Sequence, residues 1–441
     1  NNANAPMRRS LLRYTRILIL PLLAVGLVLA GCDSGGSNGG GGNASTIDES
    51  YPDPSDGAGY EEEIAINLQL ADLGIRLEGD NPNSGTLNDI YDGSVGGNTP
   101  IQRLSSVNNT SAETYGELEV VADIKTQIQV FSDPILRSDQ LEQGVDAPNT
   151  SGSKSADELI NFYLDEAKQS SANGVAFDQF AEKGVASALS YADAAAILND
   201  FAADGTADGS ESDEAQWNEA FGHFGAPHSF GDFFDVTAND DGGLPQGEFT
   251  NADGGPDVDV YSEGVYIWAG YTAERAAKAE ELGNPNNFAA RAFNAFVDGR
   301  KAIDGDGDAD IGNAAAEALQ AWEETVAVNV IHYINGLEGR LEGLDDGKTI
   351  SRNANDDSTP SDIDEGAWGE AKAFLWALQF ESQLSESDLK SIHDLVGAGA
   401  PPYGEEVGNY EDDLQKATDI IADTDKNPRA YDFASGNVSD W

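Results

Sequence analysis

The residues best placed by type and spacing to do chemistry sit in the string Trp217-Asn218-Glu219-Ala220-Phe221-Gly222-His223-Phe224-Gly225-Ala226-Pro227. On a helix, Glu219 and His223 stand one turn apart on one face, so a carboxylate and an imidazole could share a metal ion. The plain alternative is a polar i,i+4 pair beside an aromatic stripe of Trp217, Phe221 and Phe224. His228 follows the proline and either joins such a site or faces solvent. A second cluster is Trp322-Glu323-Glu324, running on through Val326, Val330 and Ile331 to His332-Tyr333. Glu324 and His332 share a helix face two turns apart, too far to touch directly. If the two helices pack together, Glu219, His223, Glu323, Glu324 and His332 face one cavity. Carboxylate and imidazole together suit Fe, Zn or Mn better than Ca²⁺, which prefers oxygen alone. Inward-facing Glu and His side chains of a bundle are how di-metal sites are built.

Calcium is the less favoured cofactor, and its one candidate is Asp304-Gly-Asp306-Gly-Asp308-Ala-Asp310. An EF-hand loop needs glycine at position six and glutamate at position twelve. Counted from Asp304 these are Ala309 and Ala315, so only a loose surface site or a solvated loop remains. The chain has no His-Glu-x-x-His, no Gly-x-Ser-x-Gly and no phosphate-cradling glycine loop. Its single cysteine, Cys32, leaves no disulfide framework or thiolate metal site.

Helices must position these groups. Ile64 to Ile75 reads as either helix or strand, and Gly79 to Thr110 as loop. Glu113 to Phe131 has apolar residues every three or four positions, which predicts a helix. Ser155 with Glu158 forms a capping box ahead of Leu159, Phe162 and Tyr163. Phe177 to Phe201 is an alanine-rich helix, followed by one around Trp217 to Phe224. Phe230 to Asp259 is an acidic, glycine-rich insertion. Further helices are predicted over Glu263–Leu282, Asn286–Ile303, Ile311–Leu344, Asp364–Leu384 and Glu386–Val396. Gly397 to Gly404 ends the compact part, and Tyr410 to Ala422 forms a last helix in an acidic tail. The fold class expected is all-α, an antiparallel helical bundle with acidic loop insertions. The helical domain spans residues 60–400, and the tail 401–441.

Across 441 residues, 79 acids against 24 bases give a formal net charge of −55. Such a surface cannot neutralise phosphates, so nucleic acid is excluded as a partner. A hydrophobic content of 39% with six tryptophans argues for a packed core rather than disorder. Acids spread along the chain, with few lysines, match proteins of organisms that live in concentrated salt, where screening suppresses self-repulsion.

The N-terminal segment reads as an address. Met7 is the sole methionine and the expected start, with residues 1–6 an upstream extension. Arg8, Arg9, Arg13 and Arg16 precede the 13-residue apolar run Ile17–Leu29, too short for a stable span. Arg8-Arg9 is also compatible with twin-arginine export. Leu29-Ala30-Gly31-Cys32 resembles the lipobox of bacterial lipoproteins, which implies cleavage after residue 31 and a lipid on Cys32. That anchor makes the membrane a partner, and the glycine-rich residues 32–59 are the tether.

The runs Gln179-Phe180-Ala181-Glu182-Lys183-Gly184 and Trp217–Pro227 resemble a bacterial lipoprotein family catalogued as domain of unknown function 4856, common in Bacteroidetes. Trp268-Ala-Gly270-Tyr271, Phe293–Ile303, Trp322-Glu323 with Ile331-His332-Tyr333, and Trp368–Phe374 carry the same resemblance, over roughly residues 130–400. That family is similar to the imelysin-like proteins, which are all-helical envelope lipoproteins associated with iron or other metal uptake. The resemblance implies an imelysin-like bundle and an envelope uptake partner. The imelysin hallmark Gly-x-His-x-x-Glu is absent: Gly222-His223 is followed by Phe224, Gly225 and Ala226, and no histidine has Glu three residues on. The expectation is therefore a non-enzymatic, lipid-anchored envelope protein, at the outer membrane or periplasmic face, that binds a metal species or a partner protein. A metal-dependent hydrolase of imelysin type and a structural surface protein without ligand are the alternatives.

Overall fold

The computed structural model describes residue 47 and residues 49–53, 59–79, 82–105, 107, 110–139, 153–166, 173–207, 209–233, 257–283, 286–305, 309–352, 361–422, 439 and 441. Cys32, its leader and most of the glycine-rich tether lie outside these residues, as do Asp306, Asp308 and most of the acidic insertion. Among the described residues the secondary structure is helical, joined by isolated bridges such as Pro100 with Thr114 and Thr349 with Glu406. The chain is all-α. None of the described helices is long and apolar enough to cross a membrane.

The stretch that read as either helix or strand is α1, Glu61–Glu78. Its periodicity is blurred because it is buried on most sides, with Asn67, Gln69 and Asp72 inside along with its leucines and isoleucines. Those polar residues clamp neighbouring backbone. Gln69 donates to the carbonyls of Ile90 and Ala122 and accepts from the Ala122 amide at 2.7 Å. Asp72 accepts from the Tyr115 hydroxyl at 2.9 Å and from the Arg103 amide at 3.1 Å. Two expectations fail here. Residues 79–110 contain α2, Ser84–Tyr91, and a 3₁₀ turn, Gln102–Leu104. Only Ile124–Ile128, α3, is helical within the helix predicted over 113–131. Side chains capture that backbone: Glu117 accepts from the amides of Glu113 and Thr114, and Asp123 caps Thr126.

The capping box forms as expected at α4, Ala156–Glu166, where the Ser155 amide donates to Glu158 Oε2 at 3.0 Å and the Glu158 amide to Ser155 Oγ at 3.4 Å. Next, α5 (Phe177–Val185) runs through a π-helical segment, Ala186–Tyr191, into α6 (Ala192–Asp204). Then α7 covers Glu211–Phe224, capped by Ser210 and closed by Gly225 at φ 75°. The short α8 is Phe230–Phe233. Ile267–Glu281 is α9, Phe288–Asp304 α10 and Ile311–Leu341 α11. Glu365–Phe380 is α12, Glu386–Leu395 α13 and Val407–Ala422 α14.

At 31 residues and a rise of about 1.5 Å each, α11 is the axis of the bundle. It packs against α6, α9, α10, α12 and α14. Tryptophans fill the middle: Trp268 lies 5.9 Å from Trp322 and 5.7 Å from Phe374, ring centre to ring centre. Two boundaries move relative to expectation. Val407, Tyr410, Leu414 and Ile421 are buried, so the packed body continues past Gly404 through α14. Tyr51, expected in the tether, is also buried, stacked on Phe221 at 3.7 Å with its hydroxyl on Asn218. Both segments carry apolar side chains that core contacts hold more favourably than water does.

Candidate metal centre

Two faces of α7 do different work. One puts Trp217, Phe221 and Phe224 into the core, where Trp217 Nε1 donates to the Phe296 carbonyl at 2.9 Å. Gly299 of α10 makes room, since a Cβ there would sit 1.9 Å from the Trp217 ring. Another face carries Glu219, Gly222 and His223 towards α1. Gly222 lets the helices meet: a Cβ on it would lie 2.7 Å from Glu63 Cβ and 3.0 Å from Tyr60 Cβ. Asn67 pins the crossing by donating to the Gly222 carbonyl at 2.9 Å.

This approach delivers Glu63, in the first turn of α1, to Glu219 and His223. One ligand atom from each of the three lies within 4.8 Å of the others. Ligands bound to one ion at about 2.0–2.2 Å must lie within about 5 Å of each other. His223 is buried at 1% exposure, and its Nδ1 has no hydrogen-bond partner. Its Nε2 faces Asp193 Oδ2, in the first turn of α6, at 3.3 Å. Glu63 stands in the first turn of α1 and His223 in the last turn of α7, the ends where the peptide dipoles favour anion and cation respectively.

Crowding these acids around one imidazole shifts the titration of Glu63 and His223. Burial pushes the Glu63 carboxyl up to about 8; the His223 ring works against that shift and the Glu219 charge adds to it. For His223, burial disfavours the cation, but the hydrogen bond and charge of Asp193, with Glu63 and Glu219, outweigh it and raise the pKa. Both shifts favour the protonated forms of Glu63 and His223.

The second predicted cluster is elsewhere. Although α7 and α11 touch through Phe224 and Trp322, rings 5.2 Å apart, the acids and His332 of α11 do not join the group. Glu323 Oε1 accepts from the Gln383 amide at 2.9 Å. Glu324 takes an ion pair from Arg291 and hydrogen bonds from Asn286 at 3.2 Å and Gln320 at 2.8 Å. His332 packs on the Tyr333 ring, and its pKa falls to about 4 through burial and the charges of Arg275 and Lys278. Glu219 and His223 of α7 therefore meet Glu63 of α1 and not the acids and His332 of α11. His228 pairs with Asp53 at 3.5 Å, outside the group. In the aspartate loop, Asp304 pairs with Arg300 and Asp310 caps the Asn313 amide.

Glu63 and Asp193 were not singled out from sequence. Glu63 is one of three consecutive acids, and nothing local distinguishes it. The nearest clue is Gly222, whose lack of a side chain inside an aromatic helix marks a close helix crossing. Compared with protein-family models, with curated proteins and with solved structures, the chain matches none of them.

Proposed function

We propose that the chain is a metal-binding protein that holds one Fe, Zn or Mn ion between α1 and α7 through Glu63, Glu219 and His223. One observation carries this reading: the convergence of two carboxylates and a buried imidazole, with one nitrogen unpartnered, within the span that a single ion requires. Mixed oxygen and nitrogen donors favour these ions over Ca²⁺. Two features of the sequence support placement in the cell envelope of a salt-adapted bacterium: the lipobox-like Leu29–Cys32 and the net charge of −55. A role in metal uptake, through an envelope partner, rests on the resemblance to the imelysin-like proteins.

The test uses full chain purified without an affinity tag or added metal. Elemental analysis, then titration of chelator-stripped protein with Zn²⁺, Mn²⁺ and Fe²⁺, should find about one ion per chain. His223→Ala and Glu219→Gln should each weaken binding by more than the ~10–100-fold that loss of an outer partner causes. Background metal content with no saturable titration would overturn the proposal.

A further inference from the structure

Resting on that metal reading, we infer that Asp193 is the positioning residue of the centre: it accepts a hydrogen bond from the Nε2–H of His223, keeps the proton on that nitrogen and so leaves Nδ1 as the coordinating nitrogen. A neutral imidazole has one N–H and one lone pair, and the group that accepts from the N–H decides which nitrogen is which. Here the Asp193 carboxylate faces Nε2 at 3.3 Å, while Nδ1 is buried and unpartnered. A carboxylate behind a ligating histidine fixes the ring and raises its basicity.

The fold holds Asp193 in place through an irregularity. The π-helical segment Ala186–Tyr191 lies immediately before α6, and a π-turn shifts the register of everything that follows it. Three bonds secure this segment. Ser187 Oγ donates to the Ala373 carbonyl at 3.1 Å, Trp268 Nε1 to the Ala186 carbonyl at 3.1 Å, and the Tyr191 hydroxyl to the Glu381 carbonyl at 3.0 Å. Asp193 follows two residues later, where the same helical run returns to α-geometry in a register those bonds set. The bulge and the carboxylate thus belong to one device that aims the imidazole.

The experiment compares wild type with Asp193→Asn in two readouts. The first is Zn²⁺ affinity of the full chain by calorimetry, where the variant should bind about 10–100-fold more weakly at an unchanged thermal midpoint. The second needs no metal. At alkaline pH the imidazole nitrogen shifts of His223, assigned against His223→Asn, should report the Nε2–H tautomer in wild type and a mixture in the variant. An Nδ1–H tautomer in wild type overturns the inference. So does an affinity within twofold of wild type in the variant. If wild type binds no Zn²⁺, the metal reading fails, and the tautomer measurement still decides what Asp193 does.

Discussion

An ammonium taken out of water normally finds a carboxylate, yet Lys372 of α12 is fully buried, donating to the His393 carbonyl at 3.1 Å and lying over the Trp368 ring at 5.7 Å. Burial lowers its pKa to about 7; Asp394 works against that fall, and Arg137 adds to it. The adjacent His393 is also fully buried, with neither ring nitrogen hydrogen-bonded, and burial holds its pKa well below the usual 6.5. The unfolded chain binds the lysine proton below its ordinary value of 10.5, and the folded chain only below about 7. Between those values unfolding takes up a proton, so stability from this group rises with pH across the window and the penalty is fully present below about 7. Lys372→Met should raise stability by about 1–4 kcal/mol at pH 7, the range seen when buried charges yield to apolar side chains. Thermal midpoints of both proteins, measured from pH 6 to 10.5, should converge at the alkaline end; a constant gap would show that packing and not charge is responsible. Neither this burial nor the cluster of Glu63, Glu219 and His223 could be read locally. Glu219 and His223 were legible because an i,i+4 pair is a property of one helix. Glu63, Asp193 and the surroundings of Lys372 depend on which helices meet, and no residue spacing records that.

Helix contacts are where glycine placement matters. Gly222 allows α7 to approach α1 closely enough for Glu63 to reach Glu219 and His223. Gly222→Ala should cost about 1–3 kcal/mol through overpacking. It should also weaken Zn²⁺ binding, because the helices separate where two ligands depend on their contact. Gly339 in α11 is the control: a Cβ there meets nothing within 4 Å, so Gly339→Ala should stabilise by about 0.5–1 kcal/mol and leave metal binding unchanged. Denaturant titration and calorimetry on both variants check the pair. A Gly222→Ala protein with undiminished metal affinity would show that α1 does not set the site. Elements were legible where apolar period, caps and length agreed, as in α4, α10 and α11. They were not where side chains captured backbone bonds. Over residues 113–131 an apolar spacing of three to four residues coincides with turns held by Glu117 and Asp123, and Gly116 packs so tightly on Gly97 that a Cβ would lie 2.6 Å from its carbonyl oxygen.

For the molecule as a whole, a formal net charge of −55 sets acid against acid. Apart from Lys372, cations in or near the core of the described residues are already engaged: the buried Lys183 pairs with Glu182 at 2.8 Å, the buried Arg275 bonds Asn329, and the half-buried Arg291 pairs with Glu317 and Glu324. Few cations remain to offset acids at the surface, since only 24 lysines and arginines stand against 79 acids. Helix N-termini absorb some of this excess, since Asp123, Asp310 and Asp364 act as caps and the first turns favour carboxylates. The remainder repels across distances comparable to the Debye length, about 10 Å at 0.1 M salt and about 3 Å at 1 M. Raising NaCl from about 0.1 M to 2 M should therefore raise the thermal midpoint, most steeply below about 1 M, where screening changes fastest. KCl should give the same curve, because screening follows ionic strength and not the identity of the cation. A midpoint that stays flat or falls would show that the acids are not under mutual strain. A rise that continues linearly to 2 M, and is larger in sulfate than in chloride at equal ionic strength, would assign the effect to exclusion of salt from the protein surface instead.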